Sequence, residues 1–244
     1  RAAARIAAAL VAAGAGPETA SPAGLRLSKA ATGRVNIHAT GPGVALVDAA
    51  RVAALNAIDP MITLATVRPY RRTEPRDMVA TVKIIAYGVP EAAVAAACAA
   101  GRGALAHAAP VLGRAAMIET AIDDAPPPLK GHEALRMRLG RLGVVLGPRV
   151  VVPHAEAPLA RAIAAARADV IFVLTGSATS DPRDTAPAAL RLAGGEVAHF
   201  GMPVDPGNLL FVGRIGARPV IGLPGCARSP ALNGADWVLE RVIC

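Results

Sequence analysis

Between Val173 and Asp184 the sequence reads Val-Leu-Thr-Gly-Ser-Ala-Thr-Ser-Asp-Pro-Arg-Asp, an apolar run giving way to glycine, hydroxyls and acids. Backbone amides and the hydroxyls of Thr175, Ser177 and Ser180 in a strand-to-helix loop suit an anion such as phosphate. A helix following the loop adds its positive end. The same residues also make an ordinary loop in which Asp184 or Thr185 caps a helix entered at Pro187. Neither the Walker A spacing nor the dinucleotide fingerprint is present.

A second signal is the pair of proline and glycine loops, Gly201–Asn208 and Gly222–Pro230. Loops of this composition hold a fixed backbone shape against a neighbour or a flat ligand. Ser229 as N-cap and Pro230 as first helical residue would put Arg228 beside a positive helix end, where an anion is welcome. Two well-made turns with Arg228 in solvent satisfy the same residues. His154, ahead of Glu156, has the chemistry of a proton donor or ligand, and equally that of a solvated loop residue or cap. Cys226 is a thiol near these loops, or a small buried hydrophobe. Asp123-Asp124 before Pro126–Pro128 reads as a second acidic site or as a solvated turn.

These loops need a frame, and the pattern from residue 111 onward supplies one. Strands are expected at Ala115–Glu119, Arg149–Val152, Val170–Leu174 and Glu196–Phe200, alternating with helices at Gly131–Leu142, Pro158–Arg167 and Pro187–Leu192. Strands Leu209–Val212 and Pro219–Leu223 follow, then a helix from Pro230. That alternation predicts an α/β domain over 111–244, a mostly parallel sheet in three layers, with ligands beyond the carboxyl ends of the strands where strand order reverses. Residues 1–110 read as a smaller α+β domain. It has a helix Arg1–Ala13 ended by Gly14, Pro17 and Pro22, and strands Arg34–Ala39, Val44–Val47, Ile62–Val67 and Met78–Tyr87. Helices Asp48–Ile58 and Glu91–Ala100 complete it, and Gly101–Gly113 reads as a connection.

Composition narrows the partners. Hydrophobic residues make up 53% of the 244, mostly alanine and other non-aromatic types because only six are aromatic, which points to a globular core. No apolar run approaches the roughly 20 residues that span a bilayer. The charge of +8 invites a nucleic-acid reading, but it rests on scattered arginines with almost no aromatics between them, and an anionic small molecule fits it equally well; no nucleic-acid partner is expected. Cys98, Cys226 and Cys244 form no metal or disulfide pattern, and a reducing, cytoplasmic setting is expected. The chain opens at Arg1 without a methionine or a signal-peptide pattern and is expected to continue a longer gene product.

Thr175–Asp184, Ala188–Phe200, Gly201–Leu210 and Gly222–Pro230, in this order and spacing, resemble the molybdopterin-binding domain. That domain is shared by molybdopterin adenylyltransferases, molybdopterin molybdotransferases and the competence-damage-inducible family. Gly33–Ile37, Met78–Ile85 and His199–Leu210, with Asn233-Gly234 and Asp236–Leu239, are further similar to a bacterial group in which this module precedes a molybdenum cofactor nucleotidyltransferase. The resemblance implies a pterin ligand and a dimeric or trimeric assembly. It implies a pterin and phosphate pocket at Thr175, Gly176 and Ser177, with Ser180 and Asp181 in the same loop and Asp184 as the catalytic acid that holds magnesium. Pro224 and Gly225 would form the opposite wall, with Cys226 and Arg228 beside them and Pro206 and Gly207 in the neighbouring loop. It implies magnesium-dependent adenylyl transfer from ATP or molybdate insertion. Two alternatives are delivery of the pterin to a nucleotidyltransferase domain or protein, and a nicotinamide-nucleotide pyrophosphatase. The sequence departs from the family at Asp205 and Asn208, where molybdotransferases have lysines, at Pro153-His154, where adenylyltransferases have an acid, and at Cys226, where asparagine is usual.

Overall fold

The computed structural model describes residues 1–11 and 24–244, which form two compact units, 1–109 together with residue 244, and 110–243. The expected helix breakers Gly14, Pro17 and Pro22 lie outside the described residues.

The N-terminal unit contains α1 (Ala2–Leu10), β1 (Leu25–Leu27), β2 (Arg34–Ala39), β3 (Gly43–Val47), α2 (Ala49–Asn56), β4 (Ile62–Thr66), β5 (Arg72–Thr73), β6 (Met78–Ile84), α3 (Glu91–Ala100) and β7 (Leu105–Ala108). Its strands make two antiparallel sheets, ordered β1-β2-β6-β4 and β5-β3-β7. Alternation in β2 sends Val35 and Ile37 inward, where they meet Ile6 and Leu10 of α1, Leu55 of α2 and Val94 of α3. Asp48 caps α2 by accepting from the Arg51 amide at 3.0 Å. The connection expected at Gly101–Gly113 contains β7, whose run Leu105-Ala106-His107-Ala108 gives little alternation to read. Within β7 and β5, His107 Nε2 and Thr73 Oγ1 lie 2.9 Å apart, and both residues are buried.

The second unit contains β8 (Arg114–Ala121), α4 (Lys130–Gly140), β9 (Val145–Leu146), β10 (Val150–Pro153), α5 (Glu156–Ala165), β11 (Val170–Leu174), α6 (Thr185–Leu192), β12 (Glu196–Phe200), β13 (Phe211–Ile215), β14 (Arg218–Gly222) and α7 (Gly234–Ile243). It is the expected α/β fold. One sheet runs β10-β8-β11-β14-β13-β12, with β9 also on β8; β8 to β11 and β14 are parallel, and β13 is antiparallel to both neighbours. All five residues of β11 are buried. Ile171 and Val173 pack with Leu159, Ile163, Ala189 and Leu190 of α5 and α6. The intervening residues face the other way, where Leu174 lies against the start of α4. Each large apolar side chain buried so completely contributes about 1.5–3 kcal/mol.

The last helix begins at Gly234, not at Pro230. Ser229 instead caps a turn, accepting from the Ala231 amide at 3.2 Å. Asn233 takes the cap, accepting from Ala235 at 2.9 Å, while Asp236 reaches back to the Asn233 amide at 2.9 Å. This reciprocal pair outcompetes the Ser-Pro signal because it satisfies two orphan amides at once. Arg228 therefore ends a short 3-10 turn, Gly225–Arg228, and does not stand at a helix N-terminus.

Candidate functional site

Strand β8 comes first in this sheet, yet β10 lies on one side of it and β11 on the other, so strand order reverses there. The carboxyl ends of β8, β10, β11 and β14 meet at one edge of the sheet. They deliver Thr120, His154, the 175–184 loop and the 225–228 turn to it.

The 175–184 loop is folded by its own side chains. Thr175 Oγ1 donates to the Ser177 carbonyl at 2.7 Å, which leaves Thr179 as donor in the 3.2 Å hydroxyl pair between them. Asp184 Oδ2 accepts from the Ser180 amide at 2.6 Å and the Asp181 amide at 3.0 Å. Asp184 thus ties its own loop together and makes no side-chain cap on α6, although it stands at the N-cap position. Asp181 accepts from the Arg183 amide and side chain, and these bonds hold its carboxyl below the usual carboxylate range. Among the described residues, the amides of Ser177, Ala178 and Thr179 have no hydrogen-bond acceptor. Three consecutive amides with no acceptor within the protein, two of them on exposed residues, are free to donate to an anion.

Gly176 makes the close approach that seats this loop. A Cβ there would stand 2.9 Å from the Thr120 carbonyl and 2.9 Å from Ile122 Cγ1, and the Gly176 amide donates to Thr120 Oγ1 at 2.8 Å. Arg228 reaches the loop from β14's side, donating from Nη2 to the Thr175 carbonyl at 2.6 Å. Its position is fixed by Arg138 of α4, a buried guanidinium that bonds the carbonyls of Ala227, Ser229 and Ala231 and pairs with Asp236 at 2.7 Å. The sequence does not mark Arg138 as a site-building residue. Its only sequence signal is an arginine three positions after Leu135 and one before Leu139, on the apolar side of a helix.

Of the expected site residues, Thr175, Gly176, Ser177, Ser180, Asp181 and Asp184 are thus in one cross-linked loop, and Arg228 joins it. Pro224 and Gly225 lead into the adjacent 3-10 turn. Cys226 is half-buried there; burial pushes its thiol up, with Asp205 and Asp236 acting in the same direction. Pro206 and Gly207 belong to a loop on the same edge that packs on the start of α7. The Pro206 carbonyl accepts from the Gly234 amide at 2.9 Å, and a Cβ on Gly207 would lie 2.6 Å from that nitrogen. Nothing places these two residues against the 175–184 loop. Asp123 and Asp124 are exposed.

Solved structures that resemble this chain include two molybdopterin biosynthesis proteins. One is a molybdopterin biosynthesis MoeA protein from Pyrococcus horikosii, 18% identical, covering 84% of this chain and 68% of that one with a TM-score of 0.43. The other is a molybdopterin biosynthesis protein from Mycobacterium abscessus, 15% identical, covering 52% of this chain and 88% of that one with a TM-score of 0.37. No protein-family model matches the sequence, and no curated protein matches it.

As to a metal, no group of three or more His, Cys, Asp and Glu side chains among the described residues is placed to hold one. Asp184 offers Oδ1, since Oδ2 already serves two amides. Magnesium is commonly held by one or two carboxylates plus phosphate oxygens of a substrate, and Asp184 Oδ1 is a single donor of that kind. No helix among the described residues is long and apolar enough to cross a membrane.

Proposed function

We propose that the C-terminal unit binds molybdopterin, a pterin carrying a phosphate monoester, in molybdenum cofactor biosynthesis. The observation that carries this reading is the run of amides at Ser177, Ala178 and Thr179 without acceptors, beside Arg228, at the reversal of strand order. A dianionic phosphate satisfies three donors and a cation together, and the order of motifs from Thr175 to Pro230 supports the pterin as its bearer. Pro224 and Gly225 supply the neighbouring wall. Magnesium, where it takes part, would be held by Asp184 and would neutralise phosphate charge.

Binding and presentation of the pterin, to a nucleotidyltransferase domain or protein, is the role the donor set favours over turnover. Asp184 is the one acid in the loop not already paired with an arginine, and half of its carboxylate is structural. The loop 205–208 brings Asp205 and Asn208 rather than cations that would attract molybdate.

The full chain is incubated with molybdopterin and passed over a sizing column, with pterin fluorescence read in the protein peak. Retention that falls with added salt supports the reading, because screening weakens charge-assisted contacts. Pterin eluting apart from the protein overturns it. Adding ATP and magnesium separates the roles. An adenylylated pterin as product would establish transfer, and AMP released from a pyridine dinucleotide would favour the pyrophosphatase.

A further inference from the structure

His154 follows β10 directly and is half-buried between three hydroxyls. Its Nδ1 lies 2.8 Å from Thr120 Oγ1, and its Nε2 lies 2.9 Å from Ser177 Oγ and 3.4 Å from Thr185 Oγ1. Thr120 decides the direction of this chain. It has no solvent exposure, and its oxygen already accepts from the Gly176 amide. A buried hydroxyl hydrogen requires an acceptor, and the one within reach is His154 Nδ1. The neutral ring then carries its proton on Nε2 and donates it to Ser177 Oγ.

We propose that His154 acts as a positioning residue that fixes the Ser177 hydroxyl as an outward donor, so that this corner of the site takes a group that only accepts hydrogen bonds, a phosphate oxygen. With one of its two lone pairs engaged by Nε2–H, the exposed Ser177 hydroxyl turns its hydrogen away from the ring. The arrangement also removes Ser177 as a nucleophile. A base able to take its proton needs an unprotonated Nε2, and Thr120 holds the proton there. The chain of bonds joins Thr120 of β8, the residues that follow β10 and β11, and the first residue of α6, so the serine is oriented from outside its own loop.

The proposal rests on the pterin reading for the identity of the ligand, but the direction of the hydrogen bonds is readable without one. Ring nitrogen NMR of the ligand-free full chain is expected to give His154 as the Nε2–H tautomer, and a Nδ1–H signal overturns the proposal. Thr120→Val frees the ring, whereas Thr120→Ser keeps the hydroxyl. Wild type is expected to prefer a pterin phosphate over the same pterin without phosphate by roughly tenfold more than Thr120→Val does, with Thr120→Ser restoring the preference. An equal preference in Thr120→Val, in a protein whose His154 tautomer has changed, overturns the role of His154. If no pterin binds wild type while the Nε2–H tautomer is present, the pterin reading falls, and inorganic phosphate becomes the probe. A shift of the Ser177 amide on phosphate addition, smaller in Thr120→Val, then supports the proposal; equal or absent shifts overturn it.

Discussion

His107 in the N-terminal unit and His154 in the C-terminal unit each meet a threonine hydroxyl, at 2.9 and 2.8 Å. The surroundings of the two pairs differ. His107 is 1% exposed, its Nδ1 has no partner, and Gly24 is pressed so close that a Cβ there would stand 2.3 Å from that nitrogen. Burial pushes its pKa below the usual histidine value. His154 is half-buried, uses both ring nitrogens, and ends on a side chain of an exposed loop. One pair is closed into a core; the other links a strand of the sheet to the exposed 175–184 loop. The difference teaches that a histidine's role is set by what its second nitrogen reaches.

The comparison is most exposed to failure at His107. His107→Ala removes a ring from a closed core and strands Thr73, and it is expected to cost the N-terminal unit about 2–4 kcal/mol in urea unfolding. A loss under about 0.5 kcal/mol would place His107 with surface residues instead. In the other unit, Gly176→Ala must push the loop off β8, and it is expected to cost about 1–3 kcal/mol and to weaken pterin binding in the same measurement series. Asp184→Asn keeps an oxygen for the Ser180 and Asp181 amides but removes the charge. Its melting curve is expected to stay within about 1 kcal/mol of wild type, while any magnesium dependence of binding disappears. Unchanged magnesium dependence would leave Asp184 as a loop tie alone.

The smallest expected effect is a slope with pH. Because the folded pKa of His107 is depressed, the unfolded chain takes up its proton first as pH falls. The stability that neutral His107 contributes is complete above the ordinary histidine value, and falls as pH drops from that value toward the lower folded one. Melting of the N-terminal unit followed from pH 7.5 downward is expected to decline more steeply in wild type than in His107→Gln, and parallel slopes would contradict the depressed pKa.

Much of the frame is legible in the sequence. Val170–Leu174, Glu91–Ala100 and Glu196–Phe200 are read with their observed limits, because an unbroken apolar run, a proline-led alanine stretch and a glycine-led strand each carry strong local signals. The short strands β5 and β9, of two residues each, carry no period and are visible only through their partners. The 175–184 loop is legible as a donor-rich turn, but the role of Asp184 within it is not, since an acid at an N-cap position reads the same whether it faces the helix or its own loop. Thr120 is invisible for a different reason. Its importance depends on burial beside a histidine and a glycine brought from elsewhere in the chain.

The loop that carries Ser177 meets β8 through Thr120, 56 residues upstream of Gly176, and meets Arg228, 53 residues downstream of Thr175. These separations match those of the strand pairings of β8 with β11 and of β11 with β14, so the loop's contacts need the same chain closures as the sheet itself. A chain emerging during synthesis holds the donor loop well before it holds the arginine. A ligand touching both therefore acts as a clasp across the domain: it stabilises the state in which β14 has docked and offers little to one in which it has not.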